Sequence, residues 1–98
     1  MARFDVYRIA DSALVVDCQA DLLSHLKTRL VVPLLSEADV TRPMKRLNPV
    51  VQVAGAALYF CADLAAAVPL DQLRERVGSL AEDHDSLASA LDMLLIGF

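Results

Sequence analysis

The residues of this 98-residue chain that are able to do chemistry are few and scattered. Asp83-His84-Asp85 sets a titratable imidazole between two carboxylates. Consecutive residues on a helix point about 100° apart, so these three cannot converge on one substrate atom. His84 lies on or beside an apolar helical stripe and reads as a boundary histidine. His25 is a lone loop histidine with no partner identifiable by spacing. None of Ser12, Ser24, Ser36, Ser79, Ser86 and Ser89 sits in a nucleophile elbow. Gly55, Gly78 and Gly97 are too far apart to form a phosphate-cradling loop. Cys18 and Cys61 make one pair at most and lack the spaced histidines of a zinc site. Both fall in apolar, strand-like runs, where a buried free thiol is expected. No cofactor or metal motif is present, and the chain reads as a protein that binds, not as an enzyme.

The charge pattern narrows the partners. Residues 1–70 balance seven acids against seven bases. The net charge of −4 therefore resides in residues 71–98, where Asp71, Glu75, Glu82, Asp83, Asp85 and Asp92 face only Arg74 and Arg76. Direct nucleic-acid binding is not expected, because phosphate contacts need a basic face. The basic loop residues Arg42, Lys45 and Arg46 suit an acidic peptide. An apolar content of 56% exceeds the usual ~45–50%. A single small domain has little interior for the surplus, which points to an oligomer interface. The N-terminus carries charges where a signal peptide needs an apolar core. No stretch is long enough for a span of ~20 apolar residues, so no membrane is implied and a cytoplasmic location is expected.

The elements follow from the hydropathy pattern. Residues 3–9 alternate as a half-buried strand, Asp11-Ser12 turn, and Leu14–Cys18 place Leu14, Val16 and Cys18 on one face. Asp21–Leu26 read as a short helical turn or irregular loop. Arg29–Leu34 are apolar on both faces, and Pro33 should sit at an edge, bulge or strand end because it lacks an N–H. Ser36–Asn48 form a long polar excursion. Val50–Val53 and Leu58–Cys61 flank a hairpin in which Gly55 takes positive φ. Five short strands predict a small antiparallel barrel or curled sheet. Pro69–Leu73 suggest one helical turn, and Gly78 an interruption. Ser79-Leu-Ala-Glu82 matches a capping box that opens a final helix, with Leu80, Leu87, Leu91 and Leu94 on its core stripe. Gly97 stops this helix in a left-handed cap. One domain over 1–98 is expected: a barrel with loops over 1–78 and a helix over 79–97.

The helix ends on an apolar tip. Leu94, Leu95, Ile96 and Phe98 cannot all face one core, since neighbouring positions point around the helix. The tail is therefore expected to be a contact surface, the alternative being a cap in which Phe98 packs back over Met93.

In its order and spacing the chain resembles the CcdB-type toxins of bacterial type II toxin–antitoxin systems, which poison DNA gyrase. The resemblance runs through Phe4-Asp-Val-Tyr7, Leu14-Val-Val-Asp-Cys-Gln-Ala-Asp-Leu22, Arg29-Leu-Val-Val-Pro-Leu34 and Leu47-Asn-Pro-Val-Val-Gln-Val53. It continues in Val68-Pro69, Val77-Gly-Ser-Leu80 and Ala90–Phe98. It implies a mainly β fold with one C-terminal α-helix, an SH3-like, CcdB-type antiparallel barrel, assembled as a homodimer. It further implies binding to the gyrase A subunit and trapping of cleaved DNA, without catalysis by the toxin. The gyrase-binding residues would be Ile96, Gly97 and Phe98. The dimer seam would take Met93, Leu94, Gly97 and Phe98. A cognate antitoxin with a disordered, acidic and apolar C-terminal segment would meet Arg8, Arg42, Lys45 and Arg46. The family tail is Trp-Gly-Ile, whose Trp stacks on a gyrase arginine. Here Ile96 replaces that Trp, which removes a cation–π contact of roughly 0.5–2 kcal/mol. The alternative is a CcdB-like dimeric module with another target or no toxicity.

Overall fold

The computed structural model describes residues 2–97. Seven strands, β1 (Asp5–Arg8), β2 (Leu14–Asp17), β3 (Thr28–Leu35), β4 (Val50–Val53), β5 (Ala56–Phe60), β6 (Ala66–Pro69) and β7 (Glu75–Ser79), precede one helix, α1 (His84–Ile96). All pairings are antiparallel. The order is β4-β5-β3-β2-β1-β7, with β6 also on β3. The sheet is a curled half-barrel: among the described residues no ladder joins β4 to β7. The mainly β architecture with a C-terminal helix agrees with the expectation.

Long β3 organises the sheet. On one side it pairs with β2. On the other its first half pairs with β6 and its end with β5. Pro33 lies between those partners, inside a central strand and not at an edge. Its carbonyl accepts from Cys61 N–H at 3.1 Å. The missing N–H faces the same side, where the partner changes, so no bond to β2 is lost.

Strand parity creates two cores. Phe4, Val6, Val16, Cys18, Val32, Leu34, Val51 and Phe60 face Leu80, Leu87, Ala90 and Leu91. Tyr7, Val15, Val31 and Leu73 form a smaller cluster on the opposite face. Beside it lies a polar group that the sequence pattern does not reveal. The Arg29 guanidinium is fully buried against Asp17, with Nη2 at 2.6 Å and Nε at 3.1 and 3.2 Å from the carboxylate oxygens. Asp5 is buried nearby on β1 and pairs with Arg76 of β7 at 3.1 Å. Burial raises the Tyr7 phenol above its ordinary value, and the carboxylates of Asp5 and Asp17 add to the effect.

Two elements differ from expectation. β6 (Ala66–Pro69) lies in a segment given no element, and β7 runs through the expected interruption at Gly78, while the helical turn expected over Pro69–Leu73 is present as Leu70–Gln72. Gly78 lies within β7, opposite Val6. The helix also begins later than the capping box indicates. Ser79 closes β7 opposite Asp5, and its Oγ accepts from Ala81 N–H at 3.2 Å, not from Glu82. Leu80 N–H is taken by the Phe4 carbonyl at 2.8 Å. A 3-10 turn over Ala81–Asp83 then leads into α1. Burying Leu80 in the core holds the chain to the sheet at the point where the box needs a free helix start.

Candidate binding surface at the helix end

The first half of α1 is anchored and the second half is not. Leu87, Ala90 and Leu91 repeat at helical spacing and are buried. Met93 is half-buried, while Leu94, Leu95, Ile96 and Gly97 are exposed. The fractional exposures are 39% for Leu94, 74% for Leu95 and 62% for Ile96. Leu94 therefore leaves the core stripe assigned to it, because the last turn of α1 runs beyond the surface that covers Leu87 and Leu91. Gly97 adopts φ 93° and closes the helix, its N–H donating to the Asp92 and Met93 carbonyls at 3.2 and 3.1 Å. Only glycine takes this conformation without strain. Phe98, assigned to both the target contact and the dimer seam, lies outside the described residues. Asp92 is exposed one turn before Ile96 and sets a carboxylate beside the apolar tip.

The histidines and thiols are placed elsewhere. His84 opens α1, with its ring edge-on to Phe4 at 5.4 Å and Nδ1 at 3.4 Å from Asp85 Oδ1. His25 is exposed in the β2–β3 connection. Cys18 and Cys61 are buried and free. Burial pushes the Cys18 thiol up to about 12, against the opposing pull of Arg3. Burial likewise raises Cys61, with Asp63 adding to the effect. Neither thiol is an activated nucleophile.

The basic residues divide. Arg42, Lys45 and Arg46 are exposed. Arg42 and Lys45 line two hollows that share Asn48. Asn48 is buried, accepting from Met44 N–H at 3.0 Å and donating to Asp63 at 2.9 Å, which fixes the loop. Arg8 lies at the far end of the strand order and is engaged by Glu75 of β7 at 3.1 Å. A second exposed apolar group, missed in sequence, is Leu22, Leu23 and Leu26 between β2 and β3, with Leu22 88% exposed. Its one signal is a pair of adjacent leucines in a polar connection that lacks alternation.

A family model described as CcdB protein matches residues 3–97. The chain belongs to the CcdB family. Two solved structures share its fold. An "Endoribonuclease from Mycobacterial species" is 18% identical with a TM-score of 0.76, covering 97% of this chain and 90% of its own. An "Endoribonuclease in complex with its cognate antitoxin from Mycobacterial species" is 18% identical with a TM-score of 0.80, covering 97% and 94%. At that identity the likeness carries the fold of this CcdB-family chain and not its chemistry. Among the described residues no helix is long and apolar enough to cross a membrane.

Proposed function

We propose that this CcdB-family protein is the toxin of a type II toxin–antitoxin pair, acting in the cytoplasm by binding and not by catalysis. Its target is the DNA gyrase A subunit, and the bound toxin traps gyrase on cleaved DNA. The observation that carries the reading is the uncovered end of α1. An anchored helix presenting Leu94, Leu95 and Ile96 to solvent is a preformed binding element. Ile96, Gly97 and Phe98 make the gyrase contact. Met93, Leu94, Gly97 and Phe98 also meet their own copies across a two-fold seam, since an isologous contact uses the same patch twice. The antitoxin docks on the basic loop through Arg42, Lys45 and Arg46. Arg8 contributes less, because Glu75 already neutralises it.

The names of the two fold neighbours favour a second reading, cleavage of RNA. That chemistry needs a base within reach of a hydroxyl and a cation free to meet a phosphate. The fully buried Arg29 is held by Asp17, and His84 packs on Phe4. Arg42, Lys45 and Arg46 are exposed cations, but among the described residues no hydrogen bond or ion pair sets a histidine beside them, which favours the binding reading.

One assay separates them. The protein is mixed with gyrase and supercoiled plasmid, then with detergent and protease, and in parallel with a structured RNA. The toxin reading predicts linear plasmid that rises with protein, disappears for Phe98→Ala, and is accompanied by intact RNA. RNA fragments without plasmid cleavage overturn it in favour of the second reading. Neither product from a folded protein leaves the alternative CcdB-like module with another target.

A further inference from the structure

Among the described residues, one end strand of the sheet is an unprotected edge, and it opens beside the basic loop. β7, at one end of the order, holds Glu75 and Arg76 and pairs with β1 through an irregular register. β6 ends on Pro69. Charges, bulges and prolines of this kind block strand addition. β4, at the other end, reads Val-Val-Gln-Val and has none of them.

Its free backbone groups can be assigned. The turn residues Ala54 and Gly55 leave Val53 and Ala56 as the hydrogen-bonded pair next to the turn, with Val51 and Leu58 as the following one. Pro49 continues the alternation by accepting from Phe60 N–H at 2.9 Å. The N–H and C=O groups of Val50 and Gln52 therefore point away from β5. Neither has another backbone partner among the described residues.

A hollow of about 530 Å³ adjoins the start of this strand, lined by Pro43, Lys45, Pro49, Val50, Tyr59 and Ser86. Val50, in its lining, is 52% exposed, and Met44 of the same loop as Pro43 and Lys45 is 55% exposed. Arg42, Lys45 and Arg46 have no ion-pair partner among the described residues, in a chain whose net charge is −4. Free strand edge, apolar hollow and cationic loop together specify an occupant that is extended, partly aliphatic and acidic.

We propose that an extended acidic peptide segment adds to β4 as a further strand. Its backbone bonds Val50 and Gln52, one aliphatic side chain fills the hollow, and a carboxylate meets Lys45. This inference rests on the basic loop being a peptide-docking surface and assigns how that surface binds.

The test pans a library of random linear peptides against the intact protein and titrates the selected peptides into isotope-labelled protein. The expected sequences carry carboxylates around an aliphatic residue. The Val50 and Gln52 amides should shift and gain protection from exchange. Lys45→Glu should weaken binding by about tenfold or more, a loss of about 1.4 kcal/mol. Gln52→Pro should abolish binding, because it removes an outward N–H without touching the β5 ladder. Binding that depends on Lys45 but leaves the Val50 and Gln52 amides unchanged overturns strand addition and keeps the docking loop. If that proline variant unfolds, the amide readout on the unmodified protein still decides. Selection of no acidic peptide, or of peptides that perturb only the end of α1, overturns both.

Discussion

Breaking the Asp17–Arg29 ion pair leaves a charge in the interior. Asp17 reads as an ordinary polar position after two valines, and Arg29 as the polar start of an apolar strand. The structure buries both completely in one bidentate pair. The juxtaposition is tertiary, set by the β2–β3 register, so spacing along the chain carries no trace of it. Removing one partner strands a charge, and Asp17→Asn or Arg29→Met alone should cost about 3–5 kcal/mol in a denaturant titration. The double change Asp17→Leu with Arg29→Met should recover much of that loss; equal or additive losses would show that the pair is not the cause. Cys18, by contrast, was legible as a buried thiol, and it makes a pH prediction. Its ordinary value is 9.0 and burial raises it to about 12 in the fold. Above the unfolded value the unfolded chain loses a proton that the native state keeps, so stability falls as pH rises from 9.0 towards about 12. The slope from this thiol is about 1.4 kcal/mol per pH unit, and it contributes no pH dependence at neutral pH. Unfolding measured across that window should be visibly flatter for Cys18→Ala.

At the scale of elements, local rules succeeded where local geometry decides. The alternation of Val6, Val16 and Val32, the hairpin after Val53 and the left-handed stop at Gly97 were all readable. β6 and β7 were not. Ala66-Ala-Val-Pro69 has weak strand propensity, and Gly78 weakens β7 further; both become strands by pairing with β3 and β1. The capping box failed for a related reason, since Ser79 is committed to the sheet before the helix starts. The β4–β5 turn carries a correctable strain. Ala54 sits at φ 51° beside Gly55 at φ 83°, the pattern that favours Asn-Gly. A left-handed alanine costs about 1–2 kcal/mol. Ala54→Asn should therefore raise stability by roughly 0.5–1 kcal/mol, seen as a higher thermal midpoint. An unchanged or lower midpoint would mean that the turn is already relaxed.

At the scale of the whole molecule, the fold covers one end of α1 and leaves the other uncovered. The C-terminal apolar run was legible in the sequence as a set of residues that cannot all face one core, and Leu94, Leu95 and Ile96 are exposed. The second exposed group at Leu22, Leu23 and Leu26 and the open β4 edge became visible only once the strands were assembled. Action through the end of α1, as proposed, is tested by the affinity of the protein for the isolated gyrase A subunit. The native chain is compared with Leu95→Asp, at an exposed position that the fold does not need, and with Ile96→Trp, which restores an aromatic face. Circular dichroism and thermal midpoints verify that all three are folded. Our account predicts that Leu95→Asp loses binding by about 30-fold or more, equivalent to about 2 kcal/mol. It predicts that Ile96→Trp binds up to about 30-fold tighter, the upper range of a cation–π contact. Equal affinities for all three folded proteins, or no binding by any of them, would contradict it.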